Sequence, residues 1–527
     1  MGPNGAGGEL SAAEVGGANP QASGGRATAL WDALCAQQAR TPAATAITGL
    51  DGATGATGGG TLTYAELCRC AERVSEELRA GGLTPGSVVA LALPNRLEFV
   101  STFFALARLG STILLLSPRY GSSEVTAISA RARPDAWLVA TGCAAAQALA
   151  ETAQAGSVET PRPCVPGVDL TLPRPLTDRS PLDPADAVVK FSSGSTGEPK
   201  GVRLEARGLL QSAAAVAETL ELREDDRVHA RVPLFHSYGF DLGLLAPLFR
   251  GASVSVGEGF IPRLALRELG AATVFLGVPS MYRLFLETKG TLDPAGLRWA
   301  LSCTAPLSVE VIEAVHQRYG VIVSAHYGAS ECGAITNHLP AEVLRRPTSV
   351  GRAVHGVSLA LRDELGAPVA DGDEGELLVG TLGLARGLLG YDADELLFEE
   401  GPEGRRYRTS DLGRIDDDGY LTLLGRRDQL INIGGLKVSP VEVESVLESH
   451  PAVREALVRE QRGASGEAFV SALVTLRGQA AESELIRHCH GRLADHKIPR
   501  RVESIDVLPR TPGGKLDRRA VGEGGYR

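Results

Sequence analysis

The run Phe191–Gly201 (FSSGSTGEPKG) packs three glycines, four hydroxyls and one lysine into a short stretch. It follows directly on Ala187–Lys190, which reads as a strand. Glycines let the backbone turn successive N–H groups inward around anionic oxygens. The hydroxyls of Ser192, Ser193, Ser195 and Thr196 and the ammonium of Lys200 add further donors. The chemistry is that of a loop that holds polyphosphate. A Walker pattern, G-x-x-x-x-G-K-[ST], cannot be laid on Gly194 to Gly201, and no G-x-S-x-G nucleophile elbow can be read here. Short glycine motifs also occur in ordinary surface turns, so the loop needs support from elsewhere in the chain.

That support comes from four stretches downstream. In order they are Tyr327–Glu331 (YGASE), Tyr407–Asp411 (YRTSD), Gly425–Asp428 (GRRD) with Ile433–Lys437 (IGGLK), and Pro509–Lys515 (PRTPGGK). Together with the glycine loop they resemble the adenylate-forming superfamily: acyl-CoA synthetases, adenylation domains of peptide synthetases, and beetle luciferases. The resemblance runs from about Trp31 to the C-terminus. It implies a large N-terminal domain of doubly wound α/β subdomains and a small, mobile α+β C-terminal domain. The activity implied is attack of a carboxylate on the α-phosphorus of ATP, with pyrophosphate leaving, followed by transfer of the acyl group to a thiol.

Residue roles follow from the same resemblance. Ser192, Ser193, Gly194, Ser195, Thr196, Gly197 and Lys200 would hold the phosphates, with Thr196 close to Mg2+. Tyr327 would be the platform for adenine, with Gly328 beside it, Ser330 near the α-phosphate and Glu331 as the magnesium ligand. A carboxylate suits that hard cation. Thr304 and Ala305 would complete the ATP site. Asp411 matches the aspartate that binds the ribose hydroxyls, and Arg426 a second ribose or phosphate contact. The family usually has glycine where Ser410 stands. Lys515 matches the lysine that bridges the substrate carboxylate and the α-phosphate, although a lysine in a basic tail is ordinarily just solvated. Asp428 matches the hinge about which the small domain rotates. Rotation would withdraw Lys515 and bring in Gly434, Gly435 and Lys437, whose glycines leave room for a pantetheine arm.

The segment Pro233–Phe240 (PLFHSYGF) bears on the acid. His236 corresponds to an aromatic gate beside the acyl pocket. Amino-acid-activating relatives carry an aspartate at the position held here by Tyr238, so an α-amino acid is disfavoured. The remaining pocket positions are Leu242, Cys303, His326, Ala334 and Ile335. His326 either binds a polar group on the substrate or is a satisfied core histidine. CoA is the expected acceptor, because the histidine-containing segment looks most like acyl-CoA synthetases. The alternatives are a carrier protein presenting the same phosphopantetheine arm, and a luciferase-like oxygenase that traps the adenylate with oxygen.

Composition is consistent with this. A chain of 527 residues is too long for one core and predicts about three domains or subdomains. A net charge of −10 argues against general nucleic-acid binding. No uncharged apolar run is long enough to span a membrane; the longest candidate is Ala136 to Ala150. The scattered cysteines, with His488–His490 the only His/Cys cluster, give no closed zinc pattern and suggest reduced thiols in a cytoplasmic protein. Residues 1–26 read as a disordered tail without the basic and apolar regions of a signal peptide.

Along the chain, α and β signals alternate. Thr63–Glu66 is a capping box opening a helix stopped by Gly81 and Gly82. Ser87–Leu93 is an apolar run suited to a strand buried on both faces, and strands recur at 136–140, 273–278 and 321–325. The proline-rich stretch 161–184 reads as a linker. Residues 27–425 would form the N-terminal domain. Residues 426–527 would form the C-terminal lid, with helices at 440–450 and 483–494 and strands at 452–458 and 468–475.

Overall fold

The computed structural model describes residues 26–50, 60–154, 162–165, 167–171, 180–193, 199–370, 372–390, 397–401, 404–433, 436–463, 467–510, 516 and 518. Two large sheets dominate. The first runs, edge to edge, Arg352–Ala353, Gly333–Asn337, Val323–Ala329, Trp299–Ser302, Val274–Gly277, Arg227–Ala230, Ser253–Gly257, Thr45–Leu50 and Thr61–Thr63. Its interior pairings, from Val323–Ala329 through to Thr45–Leu50, are parallel. The second runs Gly387–Leu389, Pro199–Leu204, Val188–Ser193, Thr112–Leu115, Val88–Ala92, Ala136–Ala140, Val168–Thr171 and Arg162–Val165, with a parallel centre.

Alternation within single strands explains why these sheets must be covered on both sides. Every residue of Val88–Ala92 is buried. Val89 and Leu91 enter the main core, whereas Val88, Ala90 and Ala92 enter a second cluster on the other face. Period-two side chains on a strand with two apolar faces need helices on each side. The helix Tyr64–Ala80 supplies part of one cover. Thr63 caps it by accepting from the Glu66 N–H, and the Glu66 carboxylate reciprocates on the Thr63 N–H. The doubly wound α/β class expected from the alternating pattern therefore holds.

A third, antiparallel sheet follows: Ser358–Arg362, Glu374–Gly380, Gly404–Ile415 and Phe398–Gly401, with Leu421–Arg426 paired to Gly404–Ile415. After it comes a smaller domain with its own core, built on Val438, Val443, Leu447, Val458, Val470 and Val474. Its sheet is Val453–Arg462, Ala468–Leu476 and Arg501–Ser504, covered by the helices Pro440–Glu448 and Glu482–Cys489.

Two expectations need correction. The stretch 161–184 is not simply a linker, because Arg162–Val165 and Val168–Thr171 pair as an antiparallel hairpin on the second sheet. Arg162–Val165 is the edge strand, the position in a sheet to which proline is ordinarily confined. The last helix ends at Cys489 rather than Ala494, and Gly491 follows with φ +76°, outside right-handed helical space. The N-terminal tail lies outside the described residues. Among the described residues no helix is long and apolar enough to cross a membrane.

Candidate active site

The glycine loop sits on a hairpin. Val188–Ser193 pairs antiparallel with Pro199–Leu204, with Ser192 opposite Lys200 and Ser193 opposite Pro199. Gly194, Ser195, Thr196 and Gly197 lie outside the described residues, as do Gly434, Gly435 and Lys515. The stem is tightly built. A Cβ on Gly201 would come within 3.1 Å of both Leu389 and Val189, so a side chain there would push the strand off its neighbours.

Across from the hairpin, Tyr327 lies on the Val323–Ala329 strand, and its hydroxyl donates to Asp411. Burial and the Asp411 carboxylate both push the Tyr327 phenol well above its ordinary range, so it remains a donor. Asp411 sits opposite Arg426 in the pairing of Gly404–Ile415 with Leu421–Arg426, with the guanidinium 3.9 Å from its carboxylate. Arg426 in turn holds Asp428 in a two-toothed pair at 2.8 and 3.0 Å. Tyr327, Asp411, Arg426 and Asp428 thus form one chain of contacts from the large sheet to the start of the small domain. Ser330 exchanges a 2.9 Å hydrogen bond with Ser237, tying YGASE to the segment that precedes Tyr238. Glu331 is half-buried beside them, and its charge acts on Lys190 and Tyr407.

Two residues here adopt backbone that favours glycine. Ser410, beside Asp411, has φ +61°, which explains physically why glycine is the usual occupant. Thr304 has φ +77°, an unusual conformation for a β-branched residue, and it is exposed together with Ala305 just past the Trp299–Ser302 strand. Strain of this kind persists where surrounding structure enforces it, and it clusters at functional sites.

Of the residues expected to line the acid pocket, Tyr238 is brought beside His326 and Cys303. Tyr238, Leu242, Cys303, His326, Ala334 and Ile335 are all buried. Tyr238 opens a π-helical segment, Tyr238–Leu245, a rare distortion that is frequent at functional sites. The segment can start only because of Gly239: a Cβ there would lie 2.3 Å from the Pro233 carbonyl oxygen. The rings of Tyr238 and His326 stack at 5.7 Å with 20° between planes. Burial pulls His326 down to about 4, so it is neutral near pH 7. His236 is half-buried, packed on Phe235 with centroids 4.5 Å apart. Lys437, near the end of IGGLK, forms an exposed ion pair with Glu364 of the large domain.

Sequence reasoning missed one pair. Lys190 Nζ reaches both Asp241 oxygens, at 2.6 and 2.7 Å, with both residues almost wholly buried. Burial pulls the lysine down and the aspartate up, and each is partly restored by the other. A lysine inside the run Ala187–Phe191 (AVVKF) was the available signal, since a buried cation requires an anion. Its partner, in the π-helical segment 51 residues on, could not be read from spacing.

Fold and site define a two-domain α/β protein in which the YGASE and YRTSD motifs, far apart in the chain, meet at Tyr327 and Asp411. The chain belongs to the AMP-binding enzyme family: that family matches residues 34–389, and the AMP-binding enzyme C-terminal domain matches 442–515. It is 32% identical to the oxalate–CoA ligase of Arabidopsis thaliana, over 88% of this chain and 94% of that one. It is 31% identical to the 2-succinylbenzoate–CoA ligase of Geobacillus kaustophilus, over 88% and 93% respectively. Among solved structures it resembles the o-succinylbenzoate CoA synthetase of Bacillus subtilis with its acyl-adenylate intermediate. There the TM-score is 0.79 at 26% identity, covering 94% of this chain and 98% of that one. The same enzyme has been solved with ATP and magnesium. The protein is an AMP-forming acid–CoA ligase that uses ATP and Mg2+.

Proposed function

We propose that this enzyme activates a carboxylic acid lacking an α-ammonium group, using the residues assigned above, and passes the acyl group to CoA. The contact chain Tyr327–Asp411–Arg426 carries the reading, because it presents a carboxylate for ribose hydroxyls directly beside an aromatic platform. At the position where an ammonium would need an acid stands Tyr238. The nearby Asp241 is committed to Lys190.

In the first step a substrate carboxylate oxygen forms a bond to the α-phosphorus, and the bond from that phosphorus to the bridging oxygen breaks, releasing pyrophosphate. Lys200 and the Gly194–Gly197 loop hold the departing phosphates, and Lys515 offsets charge on the reacting carboxylate and α-phosphate. Magnesium would neutralise phosphate charge in this step. One carboxylate, Glu331, and the Thr196 hydroxyl suit it, since this ion commonly binds through one or two carboxylates plus substrate phosphates. In the second step the thiol sulfur bonds to the acyl carbon, the acyl–phosphate oxygen bond breaks, and AMP leaves. Residues 426–527 act as the lid that turns about Asp428 between steps, exchanging Lys515 for Gly434, Gly435 and Lys437.

A carrier protein is the second acceptor to consider, because its phosphopantetheine arm ends in the same chemistry as CoA. Pyrophosphate release across a carboxylic-acid panel, with CoA or with a phosphopantetheinylated carrier, tests the reading. Thioester formation with CoA is expected. Thioester on the carrier alone would make this a loading enzyme, and ATP-dependent oxygen uptake would make it an oxygenase.

A further inference from the structure

The Val323–Ala329 strand separates two environments. Successive side chains on a strand point to opposite faces. Tyr327 turns to Asp411 on the nucleotide side, and its neighbour His326 stacks on Tyr238 on the other. Tyr238 in turn is close enough to feel Cys303 and the backbone N–H of Gly277. Gly277 and Cys303 stand at the carboxyl ends of adjacent parallel strands, the edge of an open α/β sheet where ligands bind.

The polar groups of this region are not used up by the protein. Tyr238 is 8% exposed and His326 7%, yet neither the Tyr238 hydroxyl nor His326 Nδ1 has a hydrogen-bond partner. The Asn337 amide, paired across the strands with His326 and also buried, leaves both its oxygen and its nitrogen without one. The Asn337 side chain lies near the imidazole, and the Gly277 N–H near the phenol oxygen, but neither reaches hydrogen-bond geometry. Leaving a buried donor or acceptor unmade costs roughly 1–3 kcal/mol, so such a cluster calls for an occupant.

The charge of that occupant is constrained as well. Among the described residues the fully buried cations are Lys190 and Arg231, and each is bound to its own carboxylate, Asp241 and Glu268. His326 is neutral at working pH, and none of the six pocket residues is charged. A second carboxylate on the acid would be buried without a counterion, which is prohibitive. A plain alkyl end would leave Tyr238 and His326 unmade.

We propose that the acid carries an uncharged hydroxyl at the end remote from its carboxylate, received by Tyr238 and His326. This rests on the acid-activating reading above. A hydroxyl is both donor and acceptor. Its oxygen accepts from the Tyr238 hydroxyl, and its proton goes to His326 Nδ1, the imidazole nitrogen without a partner.

The test is ATP-dependent pyrophosphate release by the whole enzyme with aliphatic and aryl acids in matched sets. Phenylacetate and hexanoate are each offered plain, with a far-end hydroxyl, and with a far-end carboxylate. In at least one set the hydroxylated member should exceed both others by about tenfold or more in kcat/KM, the worth of one well-made buried hydrogen bond. Tyr238→Phe, which keeps the ring, should collapse that preference to within about threefold, and His326→Leu should do likewise. Equal use of plain and hydroxylated acids, or preference for the dicarboxylates, overturns the proposal while leaving acid activation intact. Release with no acid of either set, from protein that ATP still protects against thermal unfolding, overturns the acid-activating reading and this proposal with it. Should Tyr238→Phe fail to fold, the wild-type ratios alone decide.

Discussion

At the scale of single residues, one lysine and one histidine carry the sharpest expectations. With Lys515 in its proposed role, confined to the first half-reaction, Lys515→Ala should cut pyrophosphate release by about 10²- to 10³-fold or more. Thioester formation from supplied acyl-adenylate should survive, since the proposed rotation withdraws Lys515 before that step. Wild-type pyrophosphate release by the variant would remove Lys515 from the chemistry. His326 gives a pH signature. Folded, it protonates only near 4; unfolded, near 6.5. Between those values the unfolded chain binds the extra proton, so stability rises with pH across this window. The contribution is fully present above 6.5 and lost as pH falls through 4. Its size is at most about 3 kcal/mol, from the pKa difference. Urea titrations from pH 4 to 7 should show a shallower climb for His326→Gln than for wild type. Parallel curves would mean that His326 is not buried neutral.

Elements depend on pairs that link different layers. Lys190 belongs to the strand that leads into the glycine loop, and Asp241 to the π-helical segment that Tyr238 opens. Their ion pair joins the two elements through the interior. Removing one partner strands the other charge, so Lys190→Met should cost about 3–5 kcal/mol. The double variant Lys190→Met/Asp241→Leu replaces both charges by apolar groups and should recover most of that loss. Chemical denaturation of both proteins gives the answer. A double variant no more stable than the single one would show that the desolvation argument does not govern this pair.

At the scale of the whole molecule, ion pairs tie two domains together. Arg283 of the large domain, only 11% exposed at its side chain, is held by Glu448 and lies 3.7 Å from Glu455, both of the small domain. Arg454 meets Glu287 at 3.5 Å and Lys437 meets Glu364, but these pairs are exposed and therefore worth little. Asp428 stands at the junction in a short 3-10 turn, Arg427–Gln429. Proline fixes φ near −65° and removes the N–H, so Asp428→Pro should halt rotation. Adenylate formation is then expected to survive while thioester formation fails. Asp428→Asn controls for the lost pair with Arg426. Equal loss of both half-reactions in folded Asp428→Pro would place the hinge elsewhere.

Local signals in the sequence determined much of this. The capping box at Thr63, the doubly buried strand Val88–Ala92 and the strand Ala136–Ala140 are set by neighbours a few residues away, and so were legible. So was the order of the glycine loop, YGASE and YRTSD motifs. The strands within 161–184 were not, because an edge hairpin draws its pairing from a distant sheet. Tertiary structure alone decided that Tyr327 reaches Asp411, that Lys190 is spent on Asp241, and that Tyr238 faces His326. Each contact joins segments about 50 or more residues apart, brought together by sheet order. The chain's spacing can name the groups that take part in chemistry. Which of their charges remain available depends on burial, and burial is a property of the packed layers.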